Sequence, residues 1–526
     1  MANINNPILP GFNPDPSILR VGDDYYIATS TFEWFPGVQI HHSRDLVHWR
    51  LAGRPLDRLD LLDMRGNPNS CGIWAPCLTH DGELFHLCYT DVKTLDCQYK
   101  DTHNYLTTAP AVEGPWSPRV YLNSSGFDPS MFHDDDGCKW LLNMLWDHRE
   151  HSPTRFAGIV AQRYDPRVRR LVGPATNIFR GSPLGVTEGP HLYKRGGWYY
   201  LITAEGGTGL DHAVTVARSR DLLGPYEVHP ENPVLTSRGK PHLRLQKAGH
   251  GCLVQTPGGQ WYMTHLASRP LGPHGRSILG RETCIQPITW GDDGWPRLAA
   301  GGNDPQDVVA APDLPPAPLS PPPIRDDFDS PQLGIHFQTL RTPADESWLS
   351  LTQRPGFLRL RGRESLASMN EQSLVARRVQ SLDIEAATCL EFTSTSFQQM
   401  AGLVAFYDTN KHYYLCVSFD EKLGKCLGII SMVDGRYGQP LAQDVSVHEW
   451  DKVYLRLVMR GGELRFFYGR TREHYEPIGE ALDATVLSDE YGRGHHFTGA
   501  MVGMACQDLS GGRLEADFDW FDYREL

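Results

Sequence analysis

One motif recurs five times in the first 300 residues: a glycine-containing turn followed by a run in which aromatic and polar residues alternate. The copies are VGDDYYIATS from Val21, HDGELFHLCYT from His80, DDGCKWLLNML from Asp135, RGGWYYLITA from Arg195 and PGGQWYMTHL from Pro257. Measured on Gly22, Gly82, Gly137, Gly197 and Gly259, the intervals are 60, 55, 60 and 62 residues. The D-D, D-G and G-G pairs are turn signals between strands, so each copy reads as a β-hairpin. A period near 60 exceeds the ~40–45 residues of WD-type blades but suits a four-stranded blade with long connections. An S-R-D-L corner also recurs, in HHSRDLVHW from His41 and VARSRDLLGPY from Val216. Helical periodicity is almost absent. The repeat predicts an all-β chain whose residues 1–302 form a five-bladed β-propeller.

Eight prolines between Pro305 and Pro323 interrupt this pattern, and 303–325 reads as an extended Pro-rich linker. Alternation returns in FLRLRGR, LVAFYDT, YYLCVSF, VYLRLVM, LRFFYGR and EADFDWFDY, which predicts a β-sandwich over 326–526. A formal charge of −13 gives no basic field for nucleic acid or anionic lipid, so neither is an expected partner. The start lacks a basic, then apolar, leader, and no apolar stretch reaches the ~18 residues of a membrane span. The expected compartment is the cytoplasm. Eleven cysteines are scattered from Cys71 to Cys506 without a C-x-x-C pair and read as reduced structural thiols.

Seven to nine residues before the turn glycines, where each innermost strand should begin, stand Asp15, Trp74, Asp128, Glu188 and His250. Innermost strands run side by side around a propeller axis, so equivalent positions at one end share a central pocket. A single Asp-Pro is a common turn opener. Three acids at one repeat position are a different matter, because like charges in a narrow pocket are costly unless one is protonated or a cation intervenes. Two carboxyl groups facing each other across an aromatic-lined pocket suit glycoside hydrolysis, one protonating the leaving oxygen and one activating water. A third can hold the sugar and keep the acid protonated. Phe32, Trp74, Phe127 and Trp146 lie near the expected mouth and could carry sugar rings on their faces.

NPDPSILRVGDDYYI, GIWAP, GFDPSMF, TEGPHLYKRGGWYYL and ILGRET, in this order, resemble the β-xylosidases of glycoside hydrolase family 43 that carry a C-terminal β-sandwich. The resemblance spans nearly the whole chain, including FTGAMVGMACQD and the closing ADFDWFDY. It implies an inverting mechanism with Asp15 as general base, Glu188 as general acid and Asp128 tuning and orienting the acid. Inversion implies carboxyl groups ~6.5–9.5 Å apart. The sugar pocket implied by the resemblance comprises Phe32, Trp74, Ala75, Trp146, Thr208, His250 and Arg281, with Phe497 brought to the rim by a sandwich loop around HHFTGA. Arg269 and Arg276, within RPLGPHGRSI, compete with Arg281 for the role of pocket cation. In several relatives a histidine at the place of His250 binds calcium or water on the axis. Calcium there is the less favoured reading, and no metal or cofactor is expected.

A cleft closed at one end implies exo attack, releasing D-xylose from the non-reducing end of β-1,4-xylo-oligosaccharides, with α-L-arabinofuranosidase side activity on small arabinosides. A homo-oligomer, dimer or tetramer, is implied in the same way. Two other readings stand beside this one. An endo-arabinanase would need an open groove, and a noncatalytic sugar-binding propeller would bind substrate analogues without hydrolysing them.

Overall fold

The computed structural model describes residues 2–152, 154–272 and 275–526. Five four-stranded antiparallel units account for the first part of the chain, one of them with a short additional strand. Each is built around one of the predicted hairpins: Ser17–Val21 with Asp24–Thr29, Gly72–His80 with Phe85–Val92, Ser130–His133 with Lys139–Trp146, Glu188–Arg195 with Trp198–Glu205, and Gln246–Gln255 with Trp261–Ser268. The first strand of each unit lies against the first strands of both neighbouring units, and the ring closes between the first and fifth. This is a five-bladed propeller. The five turn glycines all have positive φ, from 61° to 99°. At Gly22, Gly82 and Gly137 a Cβ would meet nothing within 4 Å, so glycine is required there by the backbone and not by packing.

Ring closure uses the amino-terminal segment. Asn3–Asn5 pairs with Val308–Ala310, and the N–H groups of Ile8 and Leu9 donate to Thr283 O of blade 5. One strand of that seal thus comes from the segment read as linker.

The remaining strands form two facing sheets, a Concanavalin-like β-sandwich. Residues such as Leu358, Leu403, Leu415, Leu455 and Met504 fill the space between them. The two sheets are unlike in burial. Val453–Arg460 alternates buried and half-buried positions, as expected of a strand with one wet face. Gln399–Asp408 is buried almost throughout. Its odd-numbered residues face the sandwich core, whereas Val404 and Phe406 join Phe12, Phe32, Trp34 and Trp74 of the propeller in a second core. This sheet is therefore packed on both sides, by the partner sheet and by the propeller.

Blade 1 departs from the simple meander. Between its second strand and its third, Gln39–Ser43, the chain leaves the blade, and Trp34–Phe35 pairs with Gln338–Leu340 at the edge of the sandwich sheet. An edge strand offers unpaired backbone groups, and this excursion covers them. Beside it Arg378, fully buried, donates to Phe12 O (2.6 Å), Gln39 Oε1 (2.6 Å) and Gln338 Oε1. Replacing Arg378 with Met should leave Phe12 O and Gln338 Oε1 unpaired, while Gln39 Oε1 keeps Arg54 (2.6 Å), and cost about 2–4 kcal/mol. The expected result is a lowered midpoint of thermal unfolding, read by calorimetry, and an unchanged midpoint would contradict this account of the interface.

Candidate active site

Near the start of every innermost strand, at the same end of the ring, a residue at an equivalent place adopts the left-handed region: Asp15 (φ 56°), Ala75 (33°), Asp128 (57°), Gly189 (57°) and His250 (53°). Four of the five are not glycine, and such backbone costs on the order of 1–3 kcal/mol per residue. In blades 2, 4 and 5 the ladder register shifts there, between Trp74 and Cys77, Glu188 and His191, and Gly249 and Cys252. In blades 1 and 3 pairing starts two residues later, at Ser17 and Ser130. Bulges of this kind re-aim side chains at strand ends. They also correct the repeat alignment by one position in two blades, since the conformational equivalents of Asp15 are Ala75 and Gly189. Trp74 and Glu188 precede them.

These strand ends surround a cavity of about 930 Å³. Its walls bring together Asp15, Phe32, Trp74, Asp128, Trp146, Glu188, Thr208, His250, Arg281 and Phe497. Ala75, grouped with the sugar pocket by resemblance, is not part of the cavity wall. Its backbone N–H instead donates to Ser30 Oγ (2.8 Å), and Ser30 in turn donates to Asp15 Oδ2 (2.6 Å).

The other oxygen of Asp15 receives Arg281 Nη1 (3.2 Å) and lies 3.6 Å from His250 Nδ1. Arg281 Nη2 donates to Phe497 O (3.2 Å), and the guanidinium lies over the Phe497 and Phe32 rings at 5.3 and 5.7 Å. Of the three arginines weighed from the sequence, Arg281 is thus the one that enters the pocket. Arg269 is committed to Glu282 through two hydrogen bonds (2.6 and 2.8 Å), and Arg276 donates to Glu490 O. Between them, Pro273 and His274 lie outside the described residues.

Asp128 Oδ2 accepts the N–H of Gly189 (2.9 Å), which ties it to the backbone carrying Glu188. Burial, and then the charge of Asp15, push the Asp128 carboxyl up to about 7. Glu188 is raised well above the usual carboxylate range by burial, then by Asp128 and Asp15. Burial also brings His250 down to about 4, so its imidazole is neutral at pH 7.

Phe497 arrives from the sandwich. Its ring lies 6.0 Å from Phe32 and 5.6 Å from Trp74, and its N–H donates to Ser70 Oγ (3.1 Å). Phe127 and Trp146 continue this aromatic wall. Lys100, which sequence reasoning passed over, lines the cavity with its ammonium 4.9 Å from the Trp146 ring and 5.7 Å from that of Trp74. Its positive charge opposes the rise at Glu188. Lys100 and the wall residues from Leu95 to Gln98 sit in a connection outside the repeat, where no spacing could mark them, whereas Ser30 closes the first repeat copy.

Because Asp128 helps hold Glu188 protonated, Asp128→Asn should lower the Glu188 pKa. The alkaline limb of a pH–kcat/KM profile should therefore move to lower pH, whereas a limb that stays in place would remove Asp128 from this role.

With this geometry in view, residues 4–296 match the family Glycosyl hydrolases family 43, and residues 325–524 match the Beta xylosidase C-terminal Concanavalin A-like domain. The chain is 53% identical to xylosidase/arabinosidase 43B of Humicola insolens, over 100% of this chain and 98% of that protein. It is 50% identical to a beta-xylosidase of Bacillus subtilis (strain 168), over 99% of each. Its fold superposes on the crystal structure of xylan beta-1,4-xylosidase from Bacillus halodurans C-125 with a TM-score of 0.98, at 55% identity, covering 99% of this chain and 100% of the other. On both domains and along its whole length, the chain belongs to glycoside hydrolase family 43.

Proposed function

We propose that the protein is an exo-acting, inverting β-xylosidase that removes D-xylose from the non-reducing end of β-1,4-xylo-oligosaccharides and also accepts small α-L-arabinofuranosides. The observation that carries this reading is the meeting of Asp15, Asp128, Glu188 and Arg281 in one pocket walled on one side by Phe497 of the sandwich. Relatives named for xylosidase and for xylosidase/arabinosidase activity support the choice of substrate.

Each acid has a distinct task. Glu188, protonated in its buried setting, donates its proton to the glycosidic oxygen as the bond to the anomeric carbon breaks. A water on the opposite face of the ring gives a proton to Asp15 and attacks the same carbon, inverting its configuration. Ser30 and Arg281 hold Asp15 by both oxygens and so orient it for that water. Asp128 keeps Glu188 protonated and anchors the Gly189 backbone. No other group enters this scheme. The aromatic wall of Phe32, Trp74 and Phe497 supplies apolar ring faces, and closure on the sandwich side favours terminal residues over chain interiors. Assembly into a homo-oligomer, implied by the family likeness, is part of the same proposal and is read by sedimentation.

Proton NMR of xylobiose hydrolysis should show α-xylose as the first anomer released from the non-reducing end. First release of β-xylose would refute inversion. Glu188→Gln and Asp15→Asn should each lower kcat by about 10²–10⁴-fold, the usual contribution of a general acid or base. Ready cleavage within debranched arabinan would favour the endo-arabinanase reading instead.

A further inference from the structure

Behind the Phe497 wall two polar atoms face each other without partners. Asp408, at the end of Gln399–Asp408, has a side chain wholly shielded from solvent. Its Oδ1 accepts the N–H of Asn410 (2.8 Å), but Oδ2 has no hydrogen-bond partner. Across from it, 3.5 Å away, lies Nδ1 of His496, equally unpartnered. The other ring nitrogen of His496 is 3.1 Å from Arg493 O. A carbonyl oxygen only accepts, so Nε2 must carry the hydrogen of the neutral ring. Neutral His496 therefore presents a bare lone pair to a buried carboxylate. A single proton on Nδ1 turns this opposition into a charge-assisted hydrogen bond.

The surrounding charges do not settle the matter without that proton. Lys411 Nζ is 3.9 Å from Asp408 Oδ2 but donates to Ser488 O (2.9 Å) and Tyr491 O (3.3 Å), over the ring of Tyr407. Tyr407 OH donates to Asp489 (2.5 Å). On the loop itself, His495 lies 3.5 Å from Asp96 of the propeller, and the N–H of Arg493 reaches Asp434. Asp408 in turn raises Glu33 on the propeller side and supports the charge of Arg341 within the sandwich.

We propose that His496 is a positioning residue for the sugar pocket, its Nδ1 proton bonding to Asp408 and fixing the loop that presents Phe497. The connection is short. His496 directly precedes Phe497, whose N–H and C=O are held by Ser70 and Arg281, and the next N–H, of Thr498, donates to Tyr407 OH (3.2 Å). Arg281 in turn holds Asp15. Loss of the Nδ1 proton loosens the sandwich end of this chain of contacts, and its first effect falls on substrate binding. The inference rests on the reading of Phe497 as a wall of the sugar site.

The test is KM and kcat for 4-nitrophenyl β-D-xylopyranoside from pH 5 to 8.5, for the native chain, His496→Gln and Asp408→Asn, with folding checked by circular dichroism. For the native chain, KM should rise about three- to tenfold in a step between the acid and the alkaline end of this series, with kcat following its own separate profile. A glutamine amide donates to Asp408 without titrating, and an asparagine amide donates to the bare Nδ1. Both variants should therefore show a KM without that step. A step preserved in either folded variant overturns the proposal, and so does a native KM that is level over the range, which needs no variant at all. Failure of the broader functional reading would look different, as absence of xyloside hydrolysis by the native chain.

Discussion

Three carboxyl groups held together out of water must be kept from repelling one another, and the arrangement around Arg281 meets that condition. Its guanidinium neutralises the Asp15 side of the pocket, and the remaining repulsion is relieved by the proton that Glu188 keeps beside Asp128 and Asp15. The same repulsion makes the site chemically asymmetric. Asp15, surrounded by donors, is arranged to accept a proton, and Glu188, with burial and two acids against it, is arranged to give one. Catalytic division of labour follows from where the donors are placed rather than from the residue types.

Arg281 also explains why the propeller is not the whole enzyme. Its second nitrogen holds the backbone of Phe497, so the base and the sandwich loop share one cation. The excursion from blade 1 reinforces this dependence over a few residues: Ser30 holds Asp15, Phe32 lines the pocket, and Trp34 pairs with the sandwich sheet. A chain segment that orders the base thus also docks the second domain. Packed on both faces, the nine-stranded sheet serves as a common wall for two cores.

Much of this was legible in the sequence because propeller symmetry converts chain spacing into spatial equivalence. Turn glycines at a period near 60 located five hairpins, and the acids upstream of them located the pocket. The reading was one residue out at Trp74 and Glu188 because a bulge adds a residue without altering the hydrophobic pattern. Ala75 shows the limit of likeness alone: it stands at the right place in the chain, yet its part is a backbone N–H to Ser30. Lys100 comes from a connection whose path no periodicity constrains.

The sequence by itself determined the all-β architecture, the number of blades and the identity of three converging acids, since these follow from local turn chemistry and a repeat. Only the tertiary structure decided which arginine enters the pocket, since Arg269 and Arg281 differ in what they meet: Glu282 on the neighbouring strand for one, Asp15 and Phe497 from across the fold for the other. It likewise decided that LVAFYD would be buried on both faces while VYLRLVM keeps one face wet. Such outcomes depend on contacts between residues hundreds of positions apart, and burial there sets both the charge of a carboxyl group and the partner of a cation.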